Sequence, residues 1–242
     1  MEALIVLLSF AAAADLALGV EILWANIDGD KEEIRWKGFW ADLLRLEPGA
    51  FRRYLDPFDP LSRRWVLFGL ILATFSMVAY PVSEGFGPFF LAFLLAVVLL
   101  ALGAVDYRHQ VIPDAFNLAI AALALLYQWL YGGLTPQAMA LGALVGGGFL
   151  FLLAILGGMG GGDIKMMAAA GLLLGPEATG LALFLGFLLG SVVSIGLLIT
   201  GKKGRKDMIS FGPFLACGVL LSHVFYVQII EGYWTLVARL LI

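Results

Sequence analysis

Long apolar runs carry most of this chain, broken by short polar or glycine-rich stretches. Runs of this length predict membrane-spanning helices near 2–24, 65–80, 88–105, 115–131, 138–156, 164–175, 178–200 and 211–230. The expected fold is therefore all-α, a polytopic transmembrane bundle of about eight segments. The 164–175 run is short. A helix of that length rises about 18 Å, against a hydrocarbon thickness of about 30 Å. The glycine-rich stretch before it is thus expected to dip below the membrane surface, buried in protein, where irregular backbone is tolerated. The spacings Gly142/Gly146, Gly186/Gly190 and Gly190/Ser194 predict close helix packing. Residues 231–242 read as a short interfacial tail anchored by Tyr233 and Trp234.

Composition agrees with this pattern. Hydrophobic residues make up 62% of the 242 positions and charged residues only 14%, with a mean hydropathy of +0.97. No soluble domain hides that much apolar surface. The N-terminus, MEALIVLLSF, lacks the basic region of a cleaved signal and is expected to remain as the first span. The single cysteine, Cys217, excludes an intrachain disulfide and a cysteine-built zinc site. The two histidines and scattered acids show no metal-ligand spacing, so no metal is expected. No Ser/His/Asp or phosphate-loop pattern is visible either.

Charge orients the bundle. With the first span running inward, the cytoplasmic segments are 25–64, 106–114, 157–163 and 201–210. These, with Lys165 just past the third, hold every Lys and Arg except Arg239. The chain then divides into 1–64, a first span plus a cytoplasmic segment, and a membrane domain, 65–242. Segment 25–64 alternates Ile34, Trp36, Phe39, Trp40, Leu43 and Leu44 with charges. It reads either as helices lying on the headgroups or as a solvated basic linker.

The candidate chemistry is acidic. Gly157 to Lys165 reads GGMGGGDIK, with one carboxylate, Asp163, at a membrane boundary. An ionisable side chain there is costly and marks a functional site by default. Glycines 160, 161 and 162 permit a backbone bend and close approach of another chain. Asp106 follows the 88–105 run directly, and two crossings separate it from Asp163, so both acids end helices on one face of the membrane. Two carboxylates that approach closely cannot both ionise easily; they share a proton and can activate water while protonating a carbonyl. Asp114 follows Pro113 before a helix, where N-capping is its expected task. Asp15 lies mid-span and is expected to face the bundle, His109 to be a solvated loop residue, and His223 to bond between helices.

At these residues a resemblance becomes specific. GGMGGGDIKMMAAAGLLLG resembles the Gly-X-Gly-Asp segment of the type IV prepilin peptidases, and DYRHQVIPD their first aspartate segment. FGPFLACG at 211–218 is similar to their late Phe-Gly-Pro segment. The resemblance implies a membrane aspartic endopeptidase of the inner membrane, its site facing the cytoplasm. Such an enzyme removes the basic leader of prepilin-like proteins by cutting after a glycine. Carried over by position, Asp106 and Asp163 form the catalytic pair. Gly160, Gly161, Gly162, Lys165, Asp114 and Pro113 shape the site or hold substrate. The partners implied are prepilin-like substrates and membrane lipid, with no nucleic acid.

Many bacterial members also N-methylate the new terminus with S-adenosylmethionine, using a cytoplasmic domain with paired CxxC motifs. Segment 25–64 contains no cysteine, so cleavage without that cofactor is expected. Two other readings stay open. A presenilin-like or signal-peptide-peptidase-like protease shares the Gly-X-Gly-Asp segment, but those place a Tyr before the first acid, where this chain has Val105. A proton-coupled transporter usually shows two similarly broken helices, whereas one glycine-rich break is visible here.

Overall fold

A computed structural model of the chain describes residues 71, 74–83, 85–157, 159–201, 204 and 209–241. The expected first span, Asp15, most of the 65–80 span and segment 25–64 lie outside the described residues. The chain divides into two compact units, Met1–Pro81 and Val82–Ile242. In the first, residues 74–79 are helical.

The second unit is helical at every ordered element. We number its helices α1 (Phe86–His109), α2 (Asp114–Tyr131), α3 (Pro136–Ile155), α4 (Gly161–Ile199) and α5 (Gly212–Leu241). Among the described residues, α1, α3, α4 and α5 are long and apolar enough to cross a membrane; α2 is not one of these four. This is a membrane-spanning all-α bundle. The expected count of about eight segments concerns residues beyond those described as well as these. The final helix runs unbroken to Leu241, so residues 231–241 continue α5 where a separate tail was expected.

Helix α4 is central. It packs against α2, α3 and α5, while α1 packs against α2 and α5. No comparable packing joins α1 to α4; α2 and α5 bridge them. Glycine allows the close contacts. A side-chain carbon on Gly142 would strike the Gly171 carbonyl, and one on Gly146 the Met167 carbonyl. One on Gly190 would fall 2.5 Å from the Phe211 ring. The spacing of small residues thus marks real helix contacts.

Helix α4 is two helices. Gly175 takes φ 71 and ψ 176, and Pro176 follows it, supplying no N–H. Part of the freed backbone is satisfied from outside: Gln128 Nε2 donates to the Leu173 carbonyl at 2.9 Å. Thr179 Oγ1 donates to the Gly175 carbonyl. This break falls between the predicted 164–175 and 178–200 runs. Helix α3 also contains a π-helical stretch, Leu144–Gly148, so glycine-rich irregularity is not confined to the stretch before Asp163. The His223 ring meets Tyr127 edge-on at 5.5 Å.

Candidate active site

Helix α1 ends beside the site because of its last few residues. Gln110 adopts a left-handed conformation, φ 54, and its N–H returns to the Asp106 carbonyl. The chain then turns through Ile112 and Pro113 into α2. His109 therefore closes α1 rather than standing in a loop. Asp106 lies one turn from that end, buried at 5% exposure. Its Oδ2 accepts from the Gly212 N–H at 2.9 Å and from Ser210 Oγ. Both donors come from the segment that opens α5. That segment is fixed by Phe211, whose ring centroid lies 4.9 Å from that of Phe187 and which lies against Gly190. Pro213 packs on Gly103, one turn before Asp106.

Asp163 sits in the first turn of α4, which begins at Gly161, three residues before the predicted run. The helix thus starts earlier than the predicted 164–175 run and takes in Asp163 itself. Glycine is a poor helix former, by roughly 1 kcal/mol against alanine. Packing overrides that preference at Gly162, where a Cβ would lie 2.7 Å from Ile112 Cβ. Ile112 is itself buried. Asp163 turns one oxygen back toward Gly160, the N-cap, in the manner of a third-position side chain reaching its own cap. Its other oxygen, Oδ1, is buried without a hydrogen-bond partner. A buried carboxylate oxygen without a donor is expensive.

The charge on Asp106 reaches Asp163, so the two acids singled out in the sequence lie within electrostatic reach of one another. They stand on α1 and α4, and both α2 and α5 pack against each of these helices.

The remaining residues separate. Gly160 and Gly162 touch the site as described, whereas nothing lies within 4 Å of a Cβ placed on Gly161. Pro113, not Asp114, is the N-cap of α2, and no side chain caps that end. Asp114 does not fill the expected capping role because it already stands inside the first turn. Its Oδ1 instead meets Lys165 Nζ at 2.8 Å, an exposed ion pair joining α2 to α4. The hydrogen bond and charge of Lys165 hold the Asp114 carboxyl below its ordinary range. Sequence reasoning missed Ser210 as a partner of Asp106, and assigned no task to Gly212. The Phe-Gly-Pro segment at 211–213 was the available signal. It also missed Asn117, whose amide is buried in α2.

Comparison with known proteins agrees with the geometry. The type IV leader peptidase family matches residues 93–195, which include both acids. A prepilin leader peptidase/N-methyltransferase of Aeromonas hydrophila is 33% identical over 73% of this chain and 63% of its own length. One from Aeromonas salmonicida (strain A449) is 36% identical over 64% of this chain and 56% of its own. One from Bacillus subtilis (strain 168) is 30% identical over 60% of this chain and 59% of its own. The chain thus spans less than two thirds of these relatives. No solved structure matches it. Over residues 93–195, this chain is similar to the type IV leader peptidase family.

Proposed function

We propose that this protein is a membrane-embedded aspartic endopeptidase that removes the basic leader of prepilin-like proteins, cutting after a glycine at the cytoplasmic face of the inner membrane. The observation that carries the reading is that Asp106 and Asp163, two buried acids from different helices, lie within electrostatic reach of one another. The family match and the relatives' names support the substrate class. The basic residues, gathered in segments that the crossing pattern puts on one side, support the orientation.

The mechanism follows from the pair. One proton is shared between the two carboxyl groups, and a water stands between them. The ionised carboxylate takes a proton from that water as its oxygen attacks the scissile carbonyl carbon. The other carboxyl gives its proton to the carbonyl oxygen, so charge does not accumulate. The tetrahedral intermediate collapses with cleavage of the C–N bond, and the amine leaves with a proton from the pair. Gly212 and Ser210 hold one Asp106 oxygen in place, leaving the rest of the carboxylate to the water.

No cofactor takes part in this hydrolysis. S-adenosylmethionine enters only with N-methylation, which the relatives' names carry and which this reading leaves out, since segment 25–64 has no cysteine. The test is purified full-length protein in lipid with a substrate bearing a basic leader, a glycine and an apolar helix. Cleavage after the glycine, with an unmodified new amino terminus by mass spectrometry, is expected. An intact substrate refutes the peptidase reading. A product heavier by one methylene unit refutes the reading without methylation.

A further inference from the structure

Asp106 and Asp163 are both buried, yet their oxygens are furnished differently. Asp106 Oδ2 accepts two hydrogen bonds, from Ser210 Oγ and from the Gly212 N–H. Asp163 Oδ1 has no partner, and the next turn of α4 buries Met166 and Met167. Its Oδ2 leans on the Gly160 backbone, one contact set against the two at Asp106. Helix ends do not tell the acids apart. Gly212 opens α5 beside Asp106, and Asp163 stands in the first turn of α4, so each acid has a helix N-terminus to itself. The direct donors do tell them apart. A hydrogen bond given to a carboxylate favours its ionised form, and burial without a donor favours the neutral one. The two groups also repel when both are charged, so one proton suffices to settle the pair.

We propose that the pair has fixed roles: Asp106 is the ionised member that takes a proton from water, Asp163 is the protonated member that gives its proton to the scissile carbonyl, and the Ser210 hydroxyl is the positioning residue that keeps these roles from exchanging. This rests on the peptidase reading above and deepens it. The protons balance over one turnover. As the water oxygen bonds to the carbonyl carbon, its proton passes to Asp106 and the Asp163 proton passes to the carbonyl oxygen. When the C–N bond breaks, the amine takes the proton from Asp106, and the oxygen returns its own to Asp163 as the carbonyl re-forms. Asp106 ends ionised and Asp163 protonated, ready for the next substrate with no proton drawn from outside.

The experiment reads the resting full-length protein in lipid by infrared spectroscopy, with carbon-13 aspartate marking the protonated carboxyl band at neutral pH. That band should persist in Asp106→Asn and vanish in Asp163→Asn. A band that survives D163N and vanishes in D106N reverses the roles and overturns the inference. A band lost in both variants, the mark of a proton held between the acids, overturns it too. Kinetics on the leader-glycine-apolar substrate test Ser210. Ser210→Ala should lower kcat about 10-fold with KM unchanged, the effect of one hydrogen bond lost from a charged group, and should add a second protonated carboxyl band. Ser210→Thr keeps the hydroxyl and should restore both kcat and the single band. Wild-type kcat in S210A removes Ser210 from this role. So does a loss that S210T does not restore, or one with no second band, since a structural residue would behave that way. The infrared result needs no turnover, so a substrate left uncut by the wild type overturns the peptidase reading separately.

Discussion

The backbone N–H of Gly212 donates to Asp106 Oδ2 at 2.9 Å, joining positions 106 residues apart in the chain. The contact depends on Gly212 having no side chain, because a Cβ there would lie 2.6 Å from the same oxygen. Gly212→Ala should therefore displace either the start of α5 or the carboxylate. We expect kcat for leader cleavage to fall at least about 10-fold, since misplacement of a catalytic group by about 1 Å costs up to 100-fold. Gly180→Ala is the control: a Cβ there meets nothing within 4 Å, and activity should be unchanged. Full activity in Gly212→Ala would show that Asp106 does not need this anchor.

The acids themselves give the plainest test. Asp106→Ala, Asp106→Asn and Asp163→Ala should each abolish cleavage while the protein still inserts and purifies as a folded bundle. An amide cannot cycle a proton, so the asparagine variant should be as inactive as the alanine variant. Assaying all three on the leader-glycine-apolar substrate checks this. Substantial turnover by any one removes that acid from the mechanism.

Asp106 and Asp163 were legible in the sequence because their signal is local. A carboxylate at the end of an apolar run stands out, and counting crossings puts both at one end of the bundle. The break at Gly175–Pro176 was legible for a similar reason. What surrounds the acids was not legible, because it depends on contacts between distant helices. The Phe-Gly-Pro segment beside Ser210 marks the region, but nothing in it names the carboxylate, 104 positions earlier, that the hydroxyl meets. Asp114 misled for a related reason. Its place after Pro113 suggests a cap, but Lys165 stands opposite and takes the charge. The start of α4 was misplaced because glycine's poor helix propensity gives way when only hydrogen fits against Ile112.

That last contact predicts a ranking among the site glycines. A Cβ on Gly162 would meet Ile112 Cβ at 2.7 Å, one on Gly160 would meet Asp163 Oδ2 at 3.2 Å, and one on Gly161 nothing. Alanine should therefore cost activity most at Gly162, less at Gly160 and least at Gly161. If the cause is the collision, Ile112→Ala should restore part of the activity lost in Gly162→Ala. Double-mutant kinetics measure this directly. Losses that simply add would mean that Gly162 acts through something other than Ile112.

The Asp114–Lys165 pair predicts a dependence on pH and salt. The Asp114 carboxyl titrates below its ordinary 3.8 because Lys165 donates a hydrogen bond to it and faces it with a positive charge. For an acid whose folded value is depressed, the stabilisation is fully present above the unfolded value. It disappears as pH falls through the folded one. Both side chains are more than half exposed, at 59% and 67%, so screening by water and ions keeps the contribution small. Thermal midpoints of the wild type and Asp114→Asn should thus differ modestly at neutral pH and low salt. The gap should narrow with added salt and close at a pH below the carboxylate range. The bridge joins the start of α2 to the first turns of α4, so KM should also respond if it helps hold Asp163 in place. Lys165→Met should then raise KM at low salt and leave it near the wild-type value at high salt. A midpoint difference that stays constant across pH, in either salt, would show that Asp114 contributes through packing and not through its charge.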